Sequence, residues 1–480
     1  MDLRTKLKIG IDIDNVINEF DDLLLEQFLL EDKKKRNSGI INAKASYITR
    51  GMFDWTRSEI YEFLGENMEL FSLKMKIKKN AKKTIDKLLE KGHEIYLITN
   101  RSERHYRNPY EATVKFLKAN KINYTKLIIS KNNKSEDCIK NNIDIMFDDL
   151  LSNVKEMRDK GINAIQIKTK YNTNEEGIEC VDGWNQIYSY ISQFYFNNLK
   201  RANIILDSDI NNEADDQFAL SYILKSPERL NLEAVTIAPY YHANDVAIEE
   251  GIELSYTVAK KIFEYSNISH NNMIFKGSKK FYITDSLDNN EAVMKMHEII
   301  NKNDETLIVG IGALTNIANL LACYPKDKNK IILIWLGGHS LAHFNNNEFN
   351  FRQDILAVKK VIESGIDLTI IPCNGVVSSL TTSIYELENY MDIQKELGKL
   401  LYDRFYYDGR HGLSTRRVIW DIAPVSYVIN PGWFKIKTKY IKDISENKEY
   451  IFGDKGNKVY FAYDIEQNNI YDDFFIKFKK

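Results

Sequence analysis

Nine short runs rich in β-branched residues punctuate this chain, separated by segments of helical length. They are LKIGIDID (7–14), HEIYLITN (93–100), KLIIS (126–130) and DIMFDD (144–149), then ANIILDSD (202–209), LEAVTIAPY (232–240), TLIVGIG (306–312), IILIWLGG (331–338) and DLTIIPC (367–373). Near-continuous apolar strands alternating with helices are what parallel sheets covered on both faces require, so the chain is expected to be α/β throughout. The pattern breaks around SQFYFNNLKRAN (192–203), where a helix-like stretch gives way to a new strand and an acidic loop. A length of 480 residues suits two domains, and the expected division is 1–198 and 199–480. Residues 19–80, rich in charge and aromatics, are too long for a simple βα loop and read as a helical insert covering the first sheet.

Charge selects no partner. With 66 basic and 68 acidic residues the formal charge is −2, which gives no reason to invoke a nucleic acid polymer or an anionic membrane. The longest apolar runs are far too short to span a bilayer, and MDLRTKLK leads into a strand-like segment without a signal-peptide core. A cytoplasmic protein with small-molecule partners is expected, and a homo-oligomer is left open. Cys138, Cys180, Cys323 and Cys373 form no CxxC pair, so neither a zinc site nor a disulfide framework is indicated.

Chemistry concentrates where strands end. In IGIDIDNVI the strand delivers Asp12 and Asp14 to its carboxyl end, where open parallel sheets bind ligands. Of two such carboxylates, one can attack phosphorus and the other can protonate a leaving oxygen. Thr99 and Asn100 end the second run, Lys134 precedes a helix-like segment, and Asp148 and Asp149 end the fourth run. The set Asp-x-Asp, Thr, Lys, Asp-Asp resembles the four motifs of haloacid-dehalogenase-like phosphatases, in the 5′-nucleotidase type C branch. The resemblance implies a Rossmannoid sheet with a small helical cap, Asp12 as nucleophile, and Asp14 as general acid/base. It further implies Thr99, Asn100 and Lys134 on the phosphate, with Asp12, Asp14, Asp148 and Asp149 around Mg²⁺. Arg101 and Arg104 could meet an anion, but are read first as surface arginines.

In the second half, ILDSDINNEADDQFAL (205–220) crowds Asp207, Asp209, Glu213, Asp215 and Asp216 behind a strand. Carboxylates so close raise one another's pKa unless a cation is present, and a hard cation such as Ca²⁺ suits them. Strand, DxD and DD resemble the opening of the inosine-uridine-preferring nucleoside hydrolases, with two extra residues before the Asp pair. TLIVGIGALTNIANLL, the GG strand, NEFNFRQD (347–354) and VIWDIAPVSYVI (418–429) follow in the family's order. The resemblance implies a mainly parallel α/β sheet in which Asp209, Asp216, the Ile311 carbonyl and Asp421 bind Ca²⁺, and Asp209 activates water. Asp215, Asn350 and Asp421 would hold the ribose, with Trp420 on the base.

Trp420 stands where many members carry a histidine able to protonate the leaving base; His242, Asn244, His339 and His343 are alternatives by region. Glu213 is read first as a helix first-turn acid and second, with Asn212, as a guest of the site. The function expected is a bifunctional hydrolase: nucleotidase-like removal of phosphate, then N-glycosidic hydrolysis of a ribonucleoside. Its rivals are a chain with one active half and a nucleoside-binding sensor without turnover.

Overall fold

A computed structural model describes residues 6–479 apart from 46, 132, 173–174, 243–246 and 409–411, and the side chains of 408 and 412. The chain divides into two compact units, one ending at Asn198 and the other running from Leu199. All nine runs form strands.

The first unit is a six-stranded sheet of β1 (Lys8–Ile11), β2 (Glu94–Thr99), β3 (Lys126–Ile129), β4 (Ile145–Asp148), β5 (Ala164–Ile167) and β6 (Cys180–Val181). Every pairing is parallel and the order is β3-β2-β1-β4-β5-β6. The central strands are buried because their Ile, Leu, Met and Phe side chains face helices on both sides. β1 pairs with β2 on one side and β4 on the other, so the connections leave it in opposite directions and open a crevice at its carboxyl end. Asp12 and Asp14 enter that crevice. Asn15 then takes φ 59°, a left-handed turn that Asn tolerates, and donates to Asp149 Oδ2 at 3.0 Å while accepting from Asp21 N at 2.9 Å.

Residues 19–80 contain the helices Phe20–Lys35 and Arg57–Lys74. The second starts in a capping box: Glu59 N donates to Thr56 Oγ1, and Thr56 N donates to Glu59 Oε2 at 2.8 Å. Phe28, Phe53, Trp55, Phe63 and Phe71 pack between them, and Trp55 Nε1 donates to the buried Asp32 at 2.9 Å. This aromatic core gives the insert a body of its own.

The second unit contains β7 (Ala202–Ser208), β8 (Leu230–Ile237), β9 (Ile274–Lys276), β10 (Thr306–Gly310), β11 (Ile331–Leu336) and β12 (Asp367–Ile371). Two small ribbons follow: β13 (Thr381–Ser383) with β16 (Arg416–Val418), and β14 (Tyr407–Asp408) with β15 (Gly412–Leu413). β17 (Phe434–Ile444), β18 (Tyr450–Phe452) and β19 (Asn457–Ile465) complete the main sheet, whose order is β18-β17-β19-β12-β11-β10-β7-β8-β9. β17 pairs antiparallel with both its neighbours and the rest is parallel. The switch of direction falls between β7 and β10, at the strand carrying the acidic loop. Trp335 is fully buried below this crevice, its indole N–H donating to Gly312 O at 3.1 Å.

Candidate active sites

At the crevice of the first unit, Lys134 Nζ lies 2.9 Å from Asp12 Oδ1 and 2.6 Å from Asp148 Oδ2, and all three side chains are buried. Asp148 Oδ1 also accepts from Leu150 N at 2.9 Å, which fixes the carboxylate. Asp12, Asp148 and Asp149 each bring an oxygen within 4.8 Å of the others. Burial and the neighbouring carboxylates push Asp12 up to about 7 against the pull of Lys134, and raise Asp149 well above the ordinary range. Thr99 is buried at the end of β2, and Asn100, exposed, lines the same cavity of about 390 Å³.

Arg101 corrects its reading as a surface residue. It is 4 % exposed and clamps Asp14, its Nη2 donating to Oδ1 at 2.7 Å and its Nε to Oδ2 at 3.2 Å. Burial acts to raise Asp14, but Arg101 overrides it and holds the carboxyl below the usual range. A half-buried carboxylate beside Asp12 gains from such a counter-charge, which is why this arginine is inside. Arg104 is exposed as expected.

In the second unit the helix Asp215–Leu224 begins right after the acidic loop, so Asp215 and Asp216 sit in its first turn beside the carboxyl end of β7. Asp215, Asp216 and Asp421 bring oxygens within 4.8 Å of one another. Asp216 Oδ1 accepts from Ser208 Oγ at 2.7 Å, and Asp215 Oδ2 accepts from Trp420 N at 3.0 Å. Asp209 is 1 % exposed, and its Oδ2 has no hydrogen-bond partner among the described residues. Gly312 allows the close approach: a Cβ there would stand 2.9 Å from Ala238 Cβ and 3.2 Å from Asp209 Oδ1.

These acids line a cavity of about 250 Å³ with Ile311, Asn350, Phe349, His339 and Trp420, and no lysine or arginine among the described residues lines it. Burial, reinforced by neighbouring carboxylates, raises Asp209, Asp215 and Asp421 well above the ordinary range and Asp216 to about 7. An all-carboxylate donor set with an orphaned buried oxygen fits a hard cation; so does the first unit's trio.

Asn350 Nδ2 donates to the carbonyls of Ile311 and Leu336, each at 3.1 Å, which leaves Oδ1 as the amide's acceptor. Asp207 stays behind the wall, accepting from Thr236 Oγ1 at 2.7 Å and Asn316 Nδ2 at 2.9 Å. Glu213 corrects the preferred reading: it precedes the helix and lines the cavity, as Asn212 does. Of the histidines, His339 lines the cavity; His343 packs on it at 4.8 Å and is not among the lining residues. His242 Nε2 lies 2.8 Å from Asn212 Oδ1, and Asn244 falls outside the described residues.

Glu348 was not anticipated from the sequence. It lines the cavity and caps its helix, its carboxylate accepting from Gly338 N, Asn350 N and Phe351 N. The signal was there: an acid directly before the short helix Phe349–Gln353 is an N-cap candidate.

Comparison with known proteins separates the halves in the same way. Residues 6–195 match the family model of 5′ nucleotidase, deoxy (pyrimidine), cytosolic type C protein. Residues 204–470 match that of inosine-uridine preferring nucleoside hydrolase. Curated relatives include the non-specific ribonucleoside hydrolase RihC of Salmonella paratyphi A, 27 % identical over 158 residues, 32 % of this chain and 51 % of that protein. A probable ribonucleoside hydrolase of Dictyostelium discoideum is 29 % identical over 178 residues, 34 % of this chain and 51 % of its own. The chain thus spans about half the length of the curated relatives it matches.

Solved structures include a plant nucleoside hydrolase (16 % identity, TM-score 0.48, 58 % of this chain and 99 % of that one). A purine-preferring ribonucleoside hydrolase from Gardnerella vaginalis gives 20 % identity, TM-score 0.46, and coverage of 57 % and 98 %. By the family model that spans more than half of its length, this chain belongs to the inosine-uridine preferring nucleoside hydrolases.

Proposed function

We propose that the two units are two hydrolases acting in turn on one class of compound: the first removes phosphate from a nucleoside monophosphate, and the second splits the nucleoside into base and ribose. The observation that carries this is the pairing of two buried carboxylate clusters, each at a sheet's switch point and each opening on a cavity. The four free cysteines support a reducing, cytoplasmic setting for the same reading.

Asp12, Asp148 and Asp149, with Asp14 beside them, would hold Mg²⁺, and Asp209, Asp216, Asp421 and the Ile311 carbonyl would hold Ca²⁺; each cation would supply Lewis acidity when bound. In the first site Asp12 attacks phosphorus while Thr99, Asn100 and Lys134 bind the phosphate oxygens. Asp14 delivers the proton to the leaving oxygen and then takes one from the water that cleaves the phosphoryl–Asp12 bond and frees phosphate. Its clamp by Arg101 must loosen for that, and an entering phosphate competes for the guanidinium. In the second site Asp209 takes a proton from the attacking water, its carboxylate spare at Oδ2. Asp215, Asp421 and the Oδ1 of Asn350 accept from ribose hydroxyls, and Trp420 offers the base an aromatic face. Gripping the 2′ hydroxyl makes ribosides better substrates than 2′-deoxyribosides.

The test is a panel of nucleoside 5′-monophosphates and nucleosides with Mg²⁺ and Ca²⁺, following phosphate and free base. Phosphate from the monophosphates and base from the ribonucleosides are expected. Release of neither from any member, or equal rates on ribosides and 2′-deoxyribosides, counts against the assignment.

A further inference from the structure

In the first unit the groups already assigned meet the phosphate and its ester oxygen, and the rest of a substrate must be met by the rest of the cavity. Much of that remaining lining comes from the insert and from residues 101–108, which join β2 to the helix Pro109–Ala119. The joining segment is held at both ends. Arg101 Nη1 donates to Thr113 Oγ1 at 3.1 Å while its Nε and Nη2 hold Asp14. Glu69, on the insert's second helix, accepts from Arg107 N at 3.0 Å, and Asn108 Oδ1 caps the next helix by accepting from Glu111 N at 3.1 Å.

Within this rigid segment two polar atoms are buried with nothing to bond. Tyr106 is 4 % exposed and lines the cavity beside His105, and neither the Tyr106 Oη nor the buried Nδ1 of His105 has a hydrogen-bond partner among the described residues. Leaving such groups unpaired is costly, so two at successive positions on one cavity mark a place for a ligand's polar groups. The position of the phenol follows from Arg101, whose guanidinium carbon lies 5.4 Å from the centroid of the Tyr106 ring and whose Nη2 lies 2.7 Å from Asp14 Oδ1. Burial raises the pKa of the Tyr106 hydroxyl, Arg101 opposes the rise, and Asp14 adds to it. The hydroxyl therefore stands within electrostatic reach of the pair that handles the leaving oxygen. The His105 ring is set in turn by Tyr61 of the insert, stacked at 5.9 Å and 21°.

Resting on the nucleotidase reading above, we propose that the Tyr106 hydroxyl and the Nδ1 of His105 form a subsite for the hydroxyls of the leaving sugar. A sugar hydroxyl both donates and accepts, so it can meet a phenol and an imidazole nitrogen in either tautomer. Leu24, Ile48, Leu64 and Met68 line the same cavity from the insert and offer the base an apolar surface. The subsite selects phosphate esters of hydroxylated sugars over esters of similar size that lack the hydroxyls. Both residues touch substrate away from phosphorus, so they set specificity and move no proton.

The test removes the hydroxyls from the substrate and the phenol oxygen from the protein. It follows kcat/KM for phosphate release from a ribonucleoside 5′-monophosphate and from its 2′-deoxy and 2′,3′-dideoxy counterparts. The native protein should favour the better hydroxylated substrate over the dideoxy one by at least about tenfold, the worth of a hydrogen bond whose partner otherwise stays buried and unpaired. Tyr106→Phe should bring that ratio to within about threefold of one, and His105→Phe should lower it in part. Both rates come from one preparation, so partial unfolding of a variant leaves the ratio untouched, and the native ratio needs no variant at all. A native ratio near one, or a ratio that either variant leaves as it was, overturns the subsite while the nucleotidase reading stands. No phosphate from any nucleoside monophosphate overturns both.

Discussion

The two carboxylate clusters occupy equivalent places in two sheets yet are balanced in opposite ways. In the first unit Lys134 sits between Asp12 and Asp148, and Arg101 clamps Asp14. In the second, Asp216 accepts from the Ser208 hydroxyl and Asp215 from the Trp420 amide, both neutral, and no described lysine or arginine lines the cavity these acids share with Asp209 and Asp421. The first site carries its own lysine and arginine, and no described lysine or arginine lines the second. This follows from what each would handle: a dianionic phosphate needs fixed positive charge, while a neutral nucleoside does not.

The comparison breaks most readily on charge deletion in chelator. Lys134→Met strands two buried carboxylates and should destabilise the first unit by about 3–5 kcal/mol, with phosphate release lost. Asp216→Asn should act in the other direction, stabilising the second unit by about 1–3 kcal/mol at pH 8, because it removes one of several repelling charges. Denaturant unfolding of native and variant proteins measures both, and equal signs would dissolve the contrast. Added Ca²⁺ should then favour the native chain over Asp216→Asn.

A smaller effect separates acid sensitivity from the sites. His93 is buried, accepts from Leu7 N at 3.3 Å, and burial lowers its pKa to about 4. A histidine depressed in the folded state contributes stability that is whole above its ordinary pKa of 6.5 and lost as pH falls toward 4. The native first unit should therefore lose about 1 kcal/mol by pH 5.5, and His93→Phe should not show this increment in pH-dependent unfolding.

Strand-to-acid junctions were legible because both signals are local: a run of apolar residues fixes the strand, and the carboxylate one step beyond must lie at its carboxyl end. That brought Asp12, Asp14, Asp148 and Asp209 into view, whereas Asp216 was read at a helix start and Asp421 only through the resemblance to nucleoside hydrolases. The additions β17 to β19 were not read, since β17 is half-exposed and laced with lysine, and β6 has only two residues. Arg101 was misread because its burial answers a charge 87 residues away, which no local pattern records. Glu213 was misjudged because a loop's direction depends on partners, Arg404 and Ser255, far along the chain. Local chemistry is written in the sequence; who compensates whom is decided by packing.

The central claim is that each unit carries its own reaction and that the first feeds the second. Asp12→Asn and Asp209→Asn, made separately and given a nucleoside 5′-monophosphate, test it most directly, with phosphate, nucleoside and free base all followed. Asp12→Asn should release neither phosphate nor base from the monophosphate yet release base when given the nucleoside. Asp209→Asn should release phosphate and accumulate nucleoside, with base formation down at least about a thousandfold, as loss of a catalytic group implies. Base released by Asp209→Asn at the native rate, or by Asp12→Asn directly from the monophosphate, would contradict the account.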